Sequence, residues 1–211
     1  KKSSDILEAK KTNKIGIIYG FQNSAPIAND IFLVEKFFNK GLRFMQLTYN
    51  NQTPLAGGCY EKHDSGVSRF GEMVIEEMNR LGMIVDLSHA GKQTCLDAIN
   101  FSKKPVAISH ANPSSFHQSI RNIDDEVLKQ LANKNGFIGL SLYPYHLKNH
   151  GDCKLEDFSE MIKQLINMMG EDSIGIGSDL CMNWPDSVVM WMRNGKWTKK
   201  IDYGESKDKN A

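Results

Sequence analysis

Two histidines follow matching apolar segments in consecutive parts of the chain. His89 ends such a segment in "MIVDLSHAGK", and His110 ends the next one in "PVAISHANPSS". Both segments have the length and the β-branched content of a buried strand. If the strands are neighbours about 4.8 Å apart, both imidazoles can reach one ion through N–metal bonds of about 2.1 Å. The alternative is two histidines hydrogen-bonded to loop carbonyls, and the residues alone leave both readings open.

Two charged residues stand in similar positions. Asp179 follows the apolar segment of "IGIGSDL" and could be a metal ligand, a proton acceptor or a loop cap. Arg121, in "SIRNIDDEVL", precedes a predicted helix. Its guanidinium could hold a substrate carboxylate through two parallel hydrogen bonds. A salt bridge to Asp124 or Asp125 is the alternative for Arg121.

The elements that position these residues alternate along the chain. Periodicity predicts strands over residues 14–21, 43–50, 83–89, 105–110, 137–144 and 173–180. Helices are predicted over residues 29–41, 68–82, 92–102, 124–136 and 155–170. The helix over 68–82 is expected to bury a stripe formed by Met73, Val74, Ile75, Met78 and Leu81.

Continuously apolar strands indicate a parallel sheet covered on both faces, in either a doubly wound α/β fold or a (β/α)8 barrel. No GxGxxG or Walker A loop is present, which disfavours the nucleotide-binding sheet. Polar groups instead follow most strands, as in barrel active sites; they are Gln22 and Asn23, Tyr49 and Asn50, His89, His110, Tyr143 and Asp179. We therefore predict a (β/α)8 TIM barrel with about six of its eight strands in this chain, as one domain over residues 1–211 that is incomplete at both ends.

The composition excludes several classes of partner. With 26 basic and 25 acidic side chains, the chain has no charge pattern for binding nucleic acid. No transmembrane segment of about 20 apolar residues is present, and no signal peptide or anchor is visible. The four cysteines show no CxxC spacing. We expect a cytoplasmic protein with reduced thiols.

Several motifs, in order, resemble the membrane (renal) dipeptidase family, the M19-type zinc peptidases. They are "LTYNNQTPLAGG", "GVSRFGEMVIEEMNRLGMIVDLSHAG", "PVAISHANPSSFHQSIRNIDDEVL", "GLSLYPYHL" and "IGIGSDL". The resemblance extends from Lys14 to about Asp179. It implies a (β/α)8 barrel whose two-zinc site cleaves dipeptides and related small amides, in enzymes that are often homodimers.

The resemblance also implies roles for individual residues. His89 and His110 match two zinc ligands of the family, and Asp179 matches the aspartate that transfers the proton. Arg121 matches the arginine that binds the substrate carboxylate, and Tyr143 matches a tyrosine of the substrate pocket.

Three departures from the family pattern bear on the chemistry. No His-x-Asp ligand pair is found, because "KKSSDILEAKK" corresponds to the helix before the family's third strand. Gln22, in "YGFQNS", occupies the position of the glutamate that bridges the two zinc ions. Tyr49 stands where better-known members have a histidine near the substrate carbonyl, and its phenol could donate to a developing oxyanion. After Asp179 the chain follows a different pattern that contains Trp184, Trp191 and Trp197, which could cover the pocket or cap the barrel.

These observations leave three functions open. The first is a zinc-dependent dipeptidase, with one or two ions, in which a metal-activated water attacks the peptide carbonyl. The second is a catalytically impaired barrel that binds a small carboxylated ligand, which Gln22 favours. The third is a hydrolase of N-substituted amino acids, which Tyr49 and the altered final segment favour.

Overall fold

The computed structural model describes residues 2–180. Six parallel strands form one sheet in which every strand lies beside its neighbours in the chain, in the order β1-β2-β3-β4-β5-β6. The strands are β1 (Tyr19–Phe21), β2 (Leu42–Gln46), β3 (Ile84–Asp86), β4 (Ala107–Ala111), β5 (Phe137–Leu140) and β6 (Ile174–Ile176). The tryptophans at 184, 191 and 197 lie outside the described residues.

Helices alternate with these strands. They are α1 (Ser3–Lys11), α2 (Phe32–Asn39), α3 (Arg69–Leu81), α4 (Lys92–Phe101), α5 (Asp125–Asn133) and α6 (Leu155–Met169). The predicted alternation of six strands and five crossover helices is confirmed, and it forms part of a (β/α)8 barrel. No helix within residues 2–180 is both long enough and apolar enough to cross a membrane.

Helix α3 shows how local sequence sets the element boundaries. The hydroxyl of Ser68 accepts a hydrogen bond from the Gly71 backbone N–H and caps the helix. Gly82 ends the helix in the left-handed conformation, with φ +76°. Val74, Ile75 and Met78 are buried as predicted, but the prediction for Met73 was wrong. Its side chain is 50% exposed, because it lies at the edge of the stripe that faces the sheet.

Several strands are shorter than the apolar segments that predicted them. Strand β1 was predicted from residue 14, but its ladder begins where Tyr19 pairs with Leu42, the first residue of β2. Within residues 2–180 no strand pairs with the residues just before Tyr19, which extend past the start of β2, and Ile15 is 92% exposed. At their carboxyl ends, strands β2, β3, β5 and β6 give way to loops three or four residues earlier than predicted.

The two faces of the sheet have different chemistry. Apolar side chains such as Met45, Val85 and Ile108 belong to one buried cluster with the helices. Polar side chains meet elsewhere in the sheet: Gln46 is in register with Asp86 and donates a hydrogen bond from Nε2 to its carboxylate over 3.1 Å. Both side chains are buried. This polar layer leads directly to the site.

Candidate metal and substrate site

The two histidines singled out by the sequence meet. His89 lies in the turn after β3 and His110 lies within β4, and their Nε2 atoms are 3.0 Å apart. The rings make an edge contact, with centroids 5.0 Å apart and an interplanar angle of 63°. Because parallel neighbouring strands end at the same edge of a sheet, the sequence could predict this meeting, and the structure brings the two imidazoles together.

Asn50 fixes the ring of His89. Its Oδ1 lies 2.7 Å from His89 Nδ1, and an amide oxygen can only accept, so Nδ1 carries the proton. The lone pair of His89 therefore lies on Nε2 and points toward His110. Asn50 has a φ of +61°, a left-handed conformation that asparagine tolerates better than most residues. The backbone there turns to direct the amide at the ring.

His110 is supported by a buried polar network. Its Nδ1 is 2.8 Å from Ser109 Oγ, which donates to Asp86 Oδ2 over 2.5 Å. Asp86 Oδ1 accepts from the Ser88 hydroxyl at 2.6 Å and from the backbone N–H groups of Ser88 and Ser109 at 3.1 and 3.0 Å. With the Gln46 amide, the Asp86 carboxylate receives five hydrogen bonds.

Burial sets the charge of the imidazoles. It lowers the pKa of His89 well below the ordinary value, and the Arg121 cation lowers it further. Burial also lowers the pKa of His110, although the nearby Asp179 carboxylate opposes that shift. Both rings are therefore neutral at neutral pH, and a neutral imidazole is the form that binds a metal.

Tyr49 stacks on His89, with ring centroids 4.1 Å apart and an interplanar angle of 26°. Burial raises the pKa of its phenol, and the Asp179 carboxylate adds to that rise while Arg121 opposes it. The phenol therefore stays protonated and can donate a hydrogen bond. This location beside the histidine pair agrees with the expected position of Tyr49, while its catalytic role stays a prediction.

Arg121 is buried, and its guanidinium bridges the two chain segments that carry His89 and His110. One of its terminal nitrogens donates to the Ser88 carbonyl, and the other donates to the His110 carbonyl over 3.5 Å. The alternative salt bridges are not formed. Asp124 pairs with Lys92 at 3.2 Å, and Asp125 accepts from the Ser115 hydroxyl at 2.8 Å.

Asp179 belongs to the same electrostatic environment. Burial raises the pKa of its carboxyl, and the charges of His110 and Arg121 oppose the rise without cancelling it. Its φ is +54°, so the chain turns sharply at the residue. Asp179 is therefore close enough to His110 and Arg121 to feel their charges, while its catalytic role stays a prediction.

The other two predicted site residues lie at neighbouring strand ends. Tyr143 follows β5, beside β4, and its ring packs 5.3 Å from His146 and 6.2 Å from Tyr145, measured between centroids. Gln22 follows β1 and is exposed. Since β1 is two strands from β3, the structure does not bring Gln22 into the contact between the histidines.

No role was predicted from the sequence for Asp86, Ser88 or Ser109, and Asn50 was predicted only as one of the polar groups at a strand end. One signal was available, because Asp86 is an acid inside the otherwise apolar segment "MIVDL", and buried acids require partners. The repeated Ser-His pair was the second signal. Across residues 2–180, no group of three or more His, Cys, Asp or Glu side chains is arranged to hold a metal.

The fold and the site place this chain in the class of (β/α)8-barrel proteins whose site has histidines on adjacent strands. The chain matches the sequence profile of the membrane dipeptidase family (peptidase family M19) over residues 1–187. An uncharacterized dipeptidase of Schizosaccharomyces pombe is 31% identical over 187 residues, covering 84% of this chain and 44% of the yeast protein. The chain belongs to the membrane dipeptidase family, and the resemblance described above is confirmed.

Solved structures agree with this assignment. An amidohydrolase from Pseudomonas aeruginosa is 41% identical, with a TM-score of 0.85 over 90% of this chain and 58% of its own. A metallo peptidase from Rhodobacter sphaeroides, liganded with a phosphinate mimic of the dipeptide L-Ala-D-Ala, shares the fold at 23% identity, with a TM-score of 0.79 over 84% of this chain and 53% of its own. The chain thus spans about half the length of the relatives that it matches.

Proposed function

We propose that this protein is a zinc-dependent dipeptidase or small-amide hydrolase whose metal is held in part by His89 and His110. The observation that carries the proposal is the 3.0 Å separation of their Nε2 atoms. Two nitrogens at about 2.1 Å from a tetrahedral zinc ion are about 3.4 Å apart. A shift of a few tenths of an ångström would therefore fit the ion, and the neutral imidazoles offer the right donor atoms.

The pair supplies only part of a ligand set. A zinc ion in proteins takes about four ligands, and catalytic sites leave one position to water or substrate. Gln22 is our candidate for the position of the family's bridging glutamate. Its amide oxygen brings no charge to offset two cations, so whether one or two ions bind is the first question to measure. When bound, the metal would polarise the substrate carbonyl and make water a nucleophile near neutral pH.

Asp179 would act as the general base and then the general acid. Burial raises the pKa of its carboxyl, which moves it toward the pH at which it can both take and return a proton. We infer that it accepts the proton of the attacking water and passes it to the leaving nitrogen. Tyr49, which stays protonated beside His89, would donate a hydrogen bond to the oxyanion.

Arg121 and Tyr143 would bind the substrate. A guanidinium has five N–H donors, so donors remain after the two hydrogen bonds of Arg121 to backbone carbonyls. A carboxylate of a small amide could accept hydrogen bonds from these remaining donors. Its neutralisation of the buried Arg121 cation would favour carboxylated substrates such as dipeptides.

The comparisons support this reading in general terms. The family is described as dipeptidases, the yeast relative is named a dipeptidase, and the Pseudomonas protein is named an amidohydrolase. A homodimer stays a prediction, which light scattering of the purified protein tests.

Gln22 favours a second candidate function, a barrel that binds a small carboxylated ligand without turning it over. A neutral residue at the bridging position would weaken a second metal site. Detection of zinc-dependent turnover of any small amide would exclude this candidate. A substrate profile with N-acyl or N-methyl amino acids beside ordinary dipeptides separates the dipeptidase from a hydrolase of N-substituted amino acids.

The decisive experiment is the metal content per chain, measured by elemental analysis of the wild type and of His89→Ala and His110→Ala. We expect one or two zinc ions in the wild type and a loss of at least one in each variant. His117→Ala is the matched control, because His117 contacts His150 at 5.3 Å between ring centroids and makes no contact with the pair. Unchanged zinc content in both site variants would refute the proposal.

A further inference from the structure

We propose that Asp86 is a positioning residue that fixes, through the Ser109 hydroxyl, which nitrogen of His110 is free to bind a metal. The inference rests on the proposed function, since it concerns the same site. It adds a residue that lies beneath the site and touches neither histidine ring directly. The hydrogen-bond donors and acceptors around Asp86 determine where each proton lies.

The carboxylate of Asp86 can only accept, so each hydroxyl in contact with it must donate to it. Ser109 Oγ lies 2.5 Å from Asp86 Oδ2, and the single hydroxyl proton of Ser109 is therefore used there. The Ser88 hydroxyl is used in the same way on Asp86 Oδ1, at 2.6 Å. Ser88 Oγ also accepts from the His110 backbone N–H at 3.1 Å and lies 3.0 Å from Ser109 Oγ. With both hydroxyl protons on Asp86, neither serine has a proton left to donate to His110 Nδ1.

It follows that Ser109 Oγ must accept from His110. The proton of that 2.8 Å contact lies on His110 Nδ1, which leaves the lone pair on Nε2. Asn50 imposes the same state on His89 from the other side. Two lone pairs that face each other across 3.0 Å repel, and a cation between them removes the repulsion. The two hydrogen-bonded supports therefore make the imidazole pair a cation site.

The substitution Asp86→Asn tests this relay, the hydrogen-bond chain from Asp86 through Ser109 to His110, because the amide of the new asparagine has only one possible orientation. Asp86 Oδ1 accepts the backbone N–H groups of Ser88 and Ser109 at 3.1 and 3.0 Å, which cannot rotate. The oxygen of the new amide must take that position, and its NH2 must face Ser109 Oγ. The amide of Gln46 can turn to accept as well, since its Oε1 has no partner among the described residues.

With an NH2 group facing it, Ser109 Oγ must accept there, which frees its own proton. We expect this proton to turn to His110 Nδ1, 2.8 Å away, in preference to Ser88 Oγ, 3.0 Å away. The ring then carries its proton on Nε2, the nitrogen required for the metal. Metal affinity commonly falls about 10- to 100-fold when such a supporting group is lost. We expect a fall of this size in Asp86→Asn, with little change in the shape of the site.

The experiment measures Zn2+ binding by competition with a chromophoric chelator, and the ring protonation of His110 by 15N NMR of the zinc-free full chain. Asp86→Asn should weaken zinc binding about 10- to 100-fold and move the His110 proton from Nδ1 to Nε2. Ser109→Ala, which removes the acceptor, should weaken binding to a similar extent. Because Asp86 acts only through Ser109, the double variant should be no weaker than either single one.

Asp97→Asn is the matched control. The Asp97 carboxylate also accepts a backbone N–H, from Val67 at 3.1 Å, and a glutamine amide, from Gln93 at 2.7 Å. Asp97 lies on α4, away from the two histidines, so the Asp97→Asn variant should bind zinc with the affinity of the wild type. Ser109→Ala keeps the test decisive should Asp86→Asn fail to fold.

Wild-type zinc affinity in Asp86→Asn and Ser109→Ala, multiplying effects in the double variant, or a His110 proton on the same nitrogen in wild type and Asp86→Asn would each overturn the relay. Absence of zinc binding by the wild type would instead refute the proposed function. The NMR comparison needs no metal and would still test the relay in that case.

Discussion

The carbonyl oxygen of Ser109 lies where a side chain on Gly139 would begin. A Cβ atom built on Gly139 would be 2.1 Å from that oxygen, and one built on Gly177 would also collide with it. Strands β4 and β5 and the residue after β6 are thus in close backbone contact at Ser109, the residue before His110. The position of the imidazole depends on two residues that have no side chain.

We predict that Gly139→Ala lowers both stability and metal affinity. The added methyl group must displace backbone, and such overpacking costs about 1–3 kcal/mol. The displaced Ser109 carries the hydroxyl that supports His110, so zinc binding should weaken with it.

Gly82→Ala is the control. Its φ is +76° and no atom would lie within 4 Å of its Cβ, so the variant should lose about 1–2 kcal/mol to the left-handed conformation and leave zinc binding unchanged. Urea unfolding measures the stability of both variants, and zinc titration measures their affinity for the metal. Equal losses of zinc affinity in Gly139→Ala and Gly82→Ala would contradict the prediction.

Asn50 is predicted to matter through its hydrogen bond to His89. In Asn50→Ala, Nδ1 loses its acceptor, and zinc should bind about 10- to 100-fold more weakly. Asn50→Asp keeps an acceptor and tolerates the left-handed backbone, so it should stay within a few fold of the wild type. Asn149→Ala controls for backbone strain alone, because Asn149 has a φ of +60° and is exposed. If Asn50→Ala and Asn149→Ala bound zinc alike, the hydrogen bond would have no such role.

Asp124 should contribute a pH-dependent part of the stability. It caps α5 by accepting from the Glu126 N–H at 2.9 Å. That hydrogen bond lowers the pKa of the Asp124 carboxyl, and Lys92 lowers it further. Because the folded-state pKa is depressed, the stabilisation by the charge is present above the unfolded pKa of about 3.9 and is lost as the pH falls through the folded value.

The variants Asp124→Asn and Asp124→Ala separate the cap from the charge. Asparagine caps as well as aspartate, whereas alanine costs about 1 kcal/mol. The difference in unfolding free energy between the wild type and Asp124→Asn should therefore shrink as the pH is lowered from 7 through the acid range. A difference that stays constant across that range would show that the charge contributes nothing. Urea unfolding at a series of pH values gives the result.

Cys95 should resist alkylation in the folded protein. Burial raises the pKa of its thiol far above the usual range, and the thiolate is the reactive form. Cys153 is partly exposed and should react with iodoacetamide before Cys95. Mass spectrometry of peptides from protein labelled at pH 8, with and without urea, compares the two sites. Equal labelling of Cys95 and Cys153 without urea would show that the buried thiol is reached in the native state.

Much of the fold could be predicted because its signals are local. The apolar periodicity of α3, the Gly82 helix end and the continuously apolar strands each depend on neighbouring residues in the chain. Strand ends were less predictable. Lys14 to Ile18 are as apolar as β1, yet they lie outside the ladder, because the start of β2 sets its length. Such a limit arises from a pairing partner, which no single segment contains.

The candidate site, like the fold, could be predicted in part from the sequence. The meeting of His89 with His110 follows from the rule that neighbouring parallel strands end together, and the repeated Ser-His pair made it visible. The supporting role of Asp86 could not be deduced in the same way. It depends on the register between β3 and β4 and on a hydroxyl whose proton direction only the complete set of contacts defines.

The strand order has a consequence for the time course of folding. His89 and His110 are 21 residues apart and belong to one β–α–β unit, whereas Asn50 comes 39 residues before His89. Loop closure costs about 0.6 kcal/mol for each doubling of length, so the imidazole pair is the cheaper contact to form. All six strands pair with their neighbours in the chain, which gives the sheet a low contact order for a parallel structure. We expect β3 and β4 to dock early and the sheet to grow outward from them, with the two rings already side by side before the outer strands arrive.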